Sequence, residues 1–165
     1  MAPVHQPGIL RPQPAQGRFI TFSVDPSADR KAALARLAEQ PFDGKTVVGI
    51  GVPMLDSALE GLRPFPGDLS TFPATQEAIW LFLTHGDRSA MFDAGRRFAG
   101  VLGRGFWVFE EVDSFSYKGS KDLSGFEDGT ENPKGKAAVE AALIRGRGAG
   151  LDGGSFVAVQ KWVHD

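Results

Sequence analysis

What constrains this chain most is the order in which short apolar runs alternate with helical stretches. Residues 19–24 (FITFSV) are β-branched and aromatic, which predicts a strand. Asp25-Pro26 offers an N-cap with proline at the first helical position, so a helix is expected over 26–40, with Leu34, Leu37 and Ala38 on its buried side. Residues 46–52 predict a second strand, whose Gly49 and Gly51 imply close approach by another backbone or a ligand. Residues 78–84 (AIWLFLT) form a continuous apolar run and predict a well-buried strand. His85-Gly86-Asp87 turns into a second helix, expected over 87–102. There Met91, Gly95, Phe98 and Leu102 share one face, and Gly103 stands where a C′ glycine is expected. Residues 106–115 (FWVFEEVDSF) make a fourth strand.

The resulting order, β-α-β-β-α-β, predicts an α+β domain of ferredoxin-like topology: an antiparallel four-stranded sheet with two helices on one face. This domain is assigned to residues 18–117, after an irregular arm over 1–17. Within it, residues 53–75 are rich in Pro and Gly and read as a long connection with a short helical stretch at 54–59. Residues 118–154 form a polar, glycine-rich loop region with a short helix at 137–144. A last strand is expected over 155–163, in a final piece 155–165 that leads towards a second half.

Composition removes several classes of function. The formal net charge is −2 with no Lys/Arg block, so neither nucleic acid nor an anionic membrane is an expected partner. Zero cysteines exclude iron–sulfur clusters, thiolate zinc sites, thiolate-ligated haem and cysteine nucleophiles. The opening stretch has no apolar core like that of a signal peptide, and no 18-residue apolar run follows, so a cytoplasmic location is expected.

The segment that carries chemistry runs from Gly125 to Pro133 (GFEDGTENP). Asp128-Gly129 and Asn132-Pro133 are turn dipeptides, and Gly125 and Gly129 let backbone pass close to a flat ligand. The pentad G-x-x-D-G alone reads as an ordinary surface loop. With its flanks it reads differently. Asp113-x-Phe115-x-Tyr117, then Asp122-Leu123-x-Gly125-Phe126-x-Asp128-Gly129-Thr130-Glu131-Asn132-Pro133, closely resembles the signature of dye-decolourising peroxidases, in particular the bacterial cytoplasmic subgroup. Gln6-Pro7-Gly8-Ile9-Leu10, Phe72-Pro73-Ala74-Thr75 and Gln160-Lys161-Trp162-x-His164-Asp165 extend the resemblance along the whole chain, as its N-terminal, distal half. Lys121 departs from it, since the family usually has arginine before Asp-Leu.

The resemblance implies a peroxidase that uses hydrogen peroxide to oxidise dyes or phenolic reductants, on a haem b held between two ferredoxin-like halves. Asp128 is then the distal acid/base, and Gly125, Phe126, Gly129 and Thr130 lie against the porphyrin. The iron ligand and a charge-stabilising arginine are expected from the missing C-terminal half, so no metal ligand is assigned here and turnover by the chain alone is not expected. A homo-oligomer is expected for the complete protein. His5 is expected in solvent, His85 in a turn, and His164 falls outside the family's ligand position. Arg145 and Arg147 read as loop residues. Trp80, Trp107, Trp162 and Tyr117 read as packing residues before relays of oxidising equivalents. The competing reading is a truncated or split, non-catalytic haem-binding or dimerisation module of the same fold.

Overall fold

A computed structural model describes residues 5–55, 65–66, 71–72 and 75–161. The first strand, β1 (Gln16–Val24), is followed by α1 (Arg30–Ala38) and β2 (Thr46–Ile50). A two-residue ribbon, β3 (Phe65–Pro66) against β4 (Thr71–Phe72), stands apart within the long connection. Then come β5 (Ile79–Leu83), α2 (Arg88–Leu102), β6 (Phe106–Phe115) and a short α3 (Lys136–Ala142). The main sheet has the order β2-β5-β1-β6 with every pairing antiparallel, which is the ferredoxin-like arrangement.

Strand alternation explains the core. Ile20 and Phe22 of β1 lie opposite Leu81 and Ile79 of β5, so all four side chains emerge on one face. That face is sealed by Ala33 and Leu37 of α1 and by Met91, Ala94, Phe98 and Leu102 of α2. Phe22 and Phe98 are wholly buried, and each burial contributes about 2–3 kcal/mol. Gly95 lets α2 sit close to the sheet, since a Cβ there would lie 3.0 Å from Ile20 Cδ1. The close approach expected of Gly51 is equally real: a Cβ would lie 1.7 Å from the Glu77 carbonyl oxygen.

Four local expectations are corrected. The first helix starts at Arg30, because the Asp29 carboxylate accepts the Ala32 N–H (3.0 Å) and is the N-cap. Asp25 instead makes an Asx-turn, accepting Ser27 N–H at 2.9 Å and Ser27 Oγ–H at 2.7 Å. With the shorter helix, Ala38 falls in its exposed last position and Ala33 takes the buried place beside Leu37. Gly103 is not a left-handed C′ residue: at φ −59° it is the C-cap, donating to Ala99 O at 2.8 Å, and Gly105 N–H closes onto Leu102 O. The expected strand 155–163 forms no ladder over residues 155–161 among the described residues, and Phe156, Val157 and Val159 are exposed there. Residues 162–165 lie outside the described residues, as does the expected helical stretch beyond Leu55, where Val52–Met54 forms one 3₁₀ turn.

Replacing Phe98 by alanine is expected to cost about 3–5 kcal/mol, because it opens a cavity between α2 and the sheet. Urea unfolding of the purified chain measures this, and a loss under about 1 kcal/mol would contradict the packing described.

Candidate functional site

The loop that carries the glycine-flanked carboxylate leaves the sheet where β6 ends. The last ladder pair is Gln16 with Phe115, and Ser116 N–H still donates to Ala15 O at 2.9 Å. Lys118, Gly119 and Ser120 then all adopt positive φ (42°, 73° and 80°). They fold the chain back, so that Lys121 N–H reaches Tyr117 O at 2.9 Å. A miniature hairpin follows. Lys121 bridges Glu127, Asp122 N–H donates to Phe126 O at 3.0 Å, and Asp128 N–H donates to Ser120 O at 2.9 Å.

Both glycines of the motif have conformational reasons to be there. Gly125, at φ +94°, closes the turn whose start is held by Gly125 N–H to Asp122 O at 3.0 Å. Gly129, at φ +76°, begins the next turn, and a Cβ there would lie 2.8 Å from Asn132 Nδ2. Asp122 is the internal clasp: its carboxylate accepts Ser124 N–H at 2.9 Å and the Ser124 hydroxyl. The hydroxyl bond is the main reason its pKa lies below the ordinary aspartate value.

Asp128 differs from Asp122. Its backbone is fixed at the base of the hairpin, while its side chain is exposed and has no partner among the described residues. Phe126 at the hairpin tip is 77% exposed, and Thr130 is exposed too. The structure thus gathers Gly125, Phe126, Asp128, Gly129 and Thr130 on one internally bonded loop, with a free carboxylate at its root. Such a group can accept and return a proton without first breaking a bond to its own protein.

The other residues singled out in the sequence are scattered. His85 Nε2 is buried without a partner among the described residues, and burial lowers the pKa of its ring. Arg145 and Arg147 are exposed, and the Arg147 backbone N–H donates to Asp152 Oδ1 at 2.8 Å. His5 is half-buried in the arm, whereas His164 and Trp162 lie outside the described residues. Trp80 packs as expected, stacked on Phe19 (5.8 Å) and Phe82 (6.1 Å). Trp107 does not: it is 52% exposed and edge-on to Phe109, on the sheet's outer strand. Tyr117 carries Lys118 Nζ 5.2 Å above its ring.

Sequence reading missed one cluster. Arg18 donates to both Asp113 oxygens (2.7 and 3.1 Å), and Arg88 Nη2 reaches the same carboxylate at 3.5 Å. Arg18 also lies 5.7 Å from the Phe92 ring centre. The signal was present, because Arg18 is in phase with the buried Ile20 and Phe22, and a charge on the apolar face of a strand calls for a partner. Asp113 titrates below its ordinary value, chiefly because of the Arg18 hydrogen bond.

The family described as "Dyp-type peroxidase, C-terminal" matches residues 119–165, which include the small hairpin and the glycine-flanked carboxylate. A dye-decolorizing peroxidase of Rhodococcus erythropolis is 30% identical over an alignment covering 95% of this chain and 52% of that protein. Among solved structures, a variant of Rhodococcus jostii DypB in complex with haem superposes with a TM-score of 0.72 at 27% identity, covering 82% of this chain and 51% of that one. A putative Dyp-type peroxidase from Shewanella oneidensis, at 22% identity and a TM-score of 0.78, shares the fold. Fold and loop together define a ferredoxin-like domain that presents a glycine-flanked carboxylate. The chain belongs to the DyP-type peroxidase family, and it spans about half the length of these relatives.

Asp113→Asn should lower the melting temperature near neutral pH, where the carboxylate is ionised. A depressed folded-state pKa contributes stability above the unfolded value and loses it as pH falls, so the gap to wild type should close below about pH 4. Thermal melts across pH 3–7 test this; a gap that widens in acid would contradict the assigned pairing.

Proposed function

We propose that this chain forms the distal part of a haem-dependent peroxidase, with hydrogen peroxide as oxidant and dyes or phenolic compounds as reductants. The observation that carries the reading is the free Asp128 carboxylate on a glycine-flanked loop, in a chain of this family. The loop suits one face of a porphyrin. Among the described residues, no atom beyond its chain neighbours lies within 4 Å of where a Gly125 Cβ would stand, Phe126 offers an exposed ring, and Gly129 and Thr130 follow on the same loop. These four residues are proposed to hold haem b. Bound there, haem supplies an iron centre at which the peroxide O–O bond breaks.

Asp128 is proposed to move the proton. It takes a proton from one peroxide oxygen and returns it to the other, which departs as water. Exposure suits this role, since the carboxylate is open to approach and has no partner to release among the described residues. The hairpin bonds beneath it hold its Cα in place while the side chain turns. None of the described histidines lies on this loop, so the iron ligand is proposed to come from the part of the family's length beyond this chain. The complete protein is proposed to be cytoplasmic and homo-oligomeric. Its division into an arm (1–17), a ferredoxin-like domain (18–117), a haem-side loop region (118–154) and a lead into the second half (155–165) belongs to the same proposal. Among the described residues no helix is long and apolar enough to cross a membrane.

In the complete protein, Asp128→Ala should slow the reaction with peroxide by about 10²- to 10⁴-fold, the usual weight of a general acid–base, with haem content near wild type. Stopped-flow absorbance after mixing with peroxide measures it. An unchanged rate at full haem loading would remove Asp128 from the chemistry.

A further inference from the structure

A cleft opens where β1 and β6 meet the first turns of α2. Its volume is about 470 Å³, and Arg18, Arg88, Ser89, Phe92, Asp93 and Asp113 line it. Sites for small molecules run from about 300 to 1,000 Å³, so a single-ring compound has room there. The cleft lies on the helix side of the sheet, because Arg18 is in phase with Ile20 and Phe22, which the helices cover. Its back wall is already paired. Arg18, with a side chain 15% exposed, commits Nε and Nη2 to the two Asp113 oxygens, and those charges offset each other.

The front wall is not. Arg88, Phe92 and Arg96 follow at i, i+4 and i+8 along α2, so each of these arginines stands one turn from the ring. Phe92 is 49% exposed, and the Arg18 and Arg96 guanidinium carbons lie 5.7 and 5.9 Å from its ring centre. Arg88 is exposed and reaches Asp113 only at 3.5 Å, while Arg96 has no acid partner among the described residues. The exposed Asp93 is the one further carboxylate of the lining. With Asp113 taken chiefly by Arg18, Arg88 and Arg96 outweigh Asp93, so the surplus beside the ring is positive. That surface selects a ligand that is both flat and anionic. Its ring can lie on Phe92, and a guanidinium fork matches the two oxygens of a carboxylate. A bare inorganic anion would leave the ring unused, and a cation would face the arginines.

We propose that this cleft binds a small aromatic carboxylate, with its ring against Phe92 and its carboxylate on Arg88. Arg96 adds positive charge on the far side of the ring, and Arg18 is held in place by Asp113 as the wall behind it. Asp93 opposes binding, because it brings a like charge next to the ring that receives the ligand. The site is separate from the haem-side loop, since none of Gly125 to Thr130 lines it, and it does not rest on the peroxidase reading.

The test titrates 4-fluorobenzoate at neutral pH, without peroxide, into the complete protein that contains this chain, and follows binding by fluorine NMR. Saturable binding is expected, and the uncharged 4-fluorobenzamide should bind about tenfold more weakly. Arg88→Gln and Phe92→Ala should each raise the Kd about fivefold, through loss of the charge-assisted bonds and of the ring contact. Asp93→Asn should act in the opposite direction and lower the Kd about twofold, which damage to the fold would not do. All three positions are exposed, so circular dichroism should show each variant folded like wild type. Absence of saturation, equal affinity for the amide, or a Kd that these substitutions leave unchanged would each overturn the proposal.

Discussion

The structure depends on β1 holding its register between two antiparallel neighbours. Ile20 and Phe22 face Leu81 and Ile79 on one side, and the same strand pairs along its whole length with β6 on the other. A slip of one residue would turn Phe19 and Thr21 towards the helices and expose the residues that α1 and α2 now cover. Arg18 reinforces this register, because its two bonds to Asp113 form only when those residues are opposite each other. The loop's point of departure follows: β6 ends level with the start of β1, and the chain leaves the sheet there.

Beyond that point the loop organises itself. Three positive-φ residues reverse the chain, a small hairpin locks Asp122 to Phe126, and Asp128 is tied at its backbone to Ser120. Structure and chemistry are thereby separated among neighbouring carboxylates. Asp122 commits its oxygens to Ser124, whereas Asp128 keeps its own free. Position in this hairpin distinguishes a clasp from a candidate proton carrier, although the two residues are of the same type.

Much of the fold was legible because it follows from periodicity. The i, i+4, i+7 face of Met91, Gly95 and Phe98 is buried as read, whereas the apolar run at 78–84 is buried on one face only, through Ile79, Leu81 and Leu83, with Trp80 and Phe82 half-buried on the other. The errors lie where short-range hydrogen bonds compete. Asp25 and Asp29 are both plausible N-caps in sequence, and Ser27 decides between them by engaging the first. Residues 155–161 were read as a strand from their apolar character, but among the described residues no strand pairs with them, and sequence pattern alone cannot supply a ladder. In the candidate site, the residue types were legible from the motif. The three left-handed residues at 118–120 were not, because only one of them is glycine.

As proposed above, this chain would supply one wall of a haem site and its proton carrier, and the base that binds iron would come from elsewhere. Titrating haemin into the purified chain while following the Soret band tests it most directly. Weak binding without a saturating, histidine-ligated spectrum is expected, since a porphyrin held on one face keeps the other in water. A sharp, stoichiometric transition to a histidine-ligated spectrum, abolished by replacing one of the chain's own histidines, would contradict it.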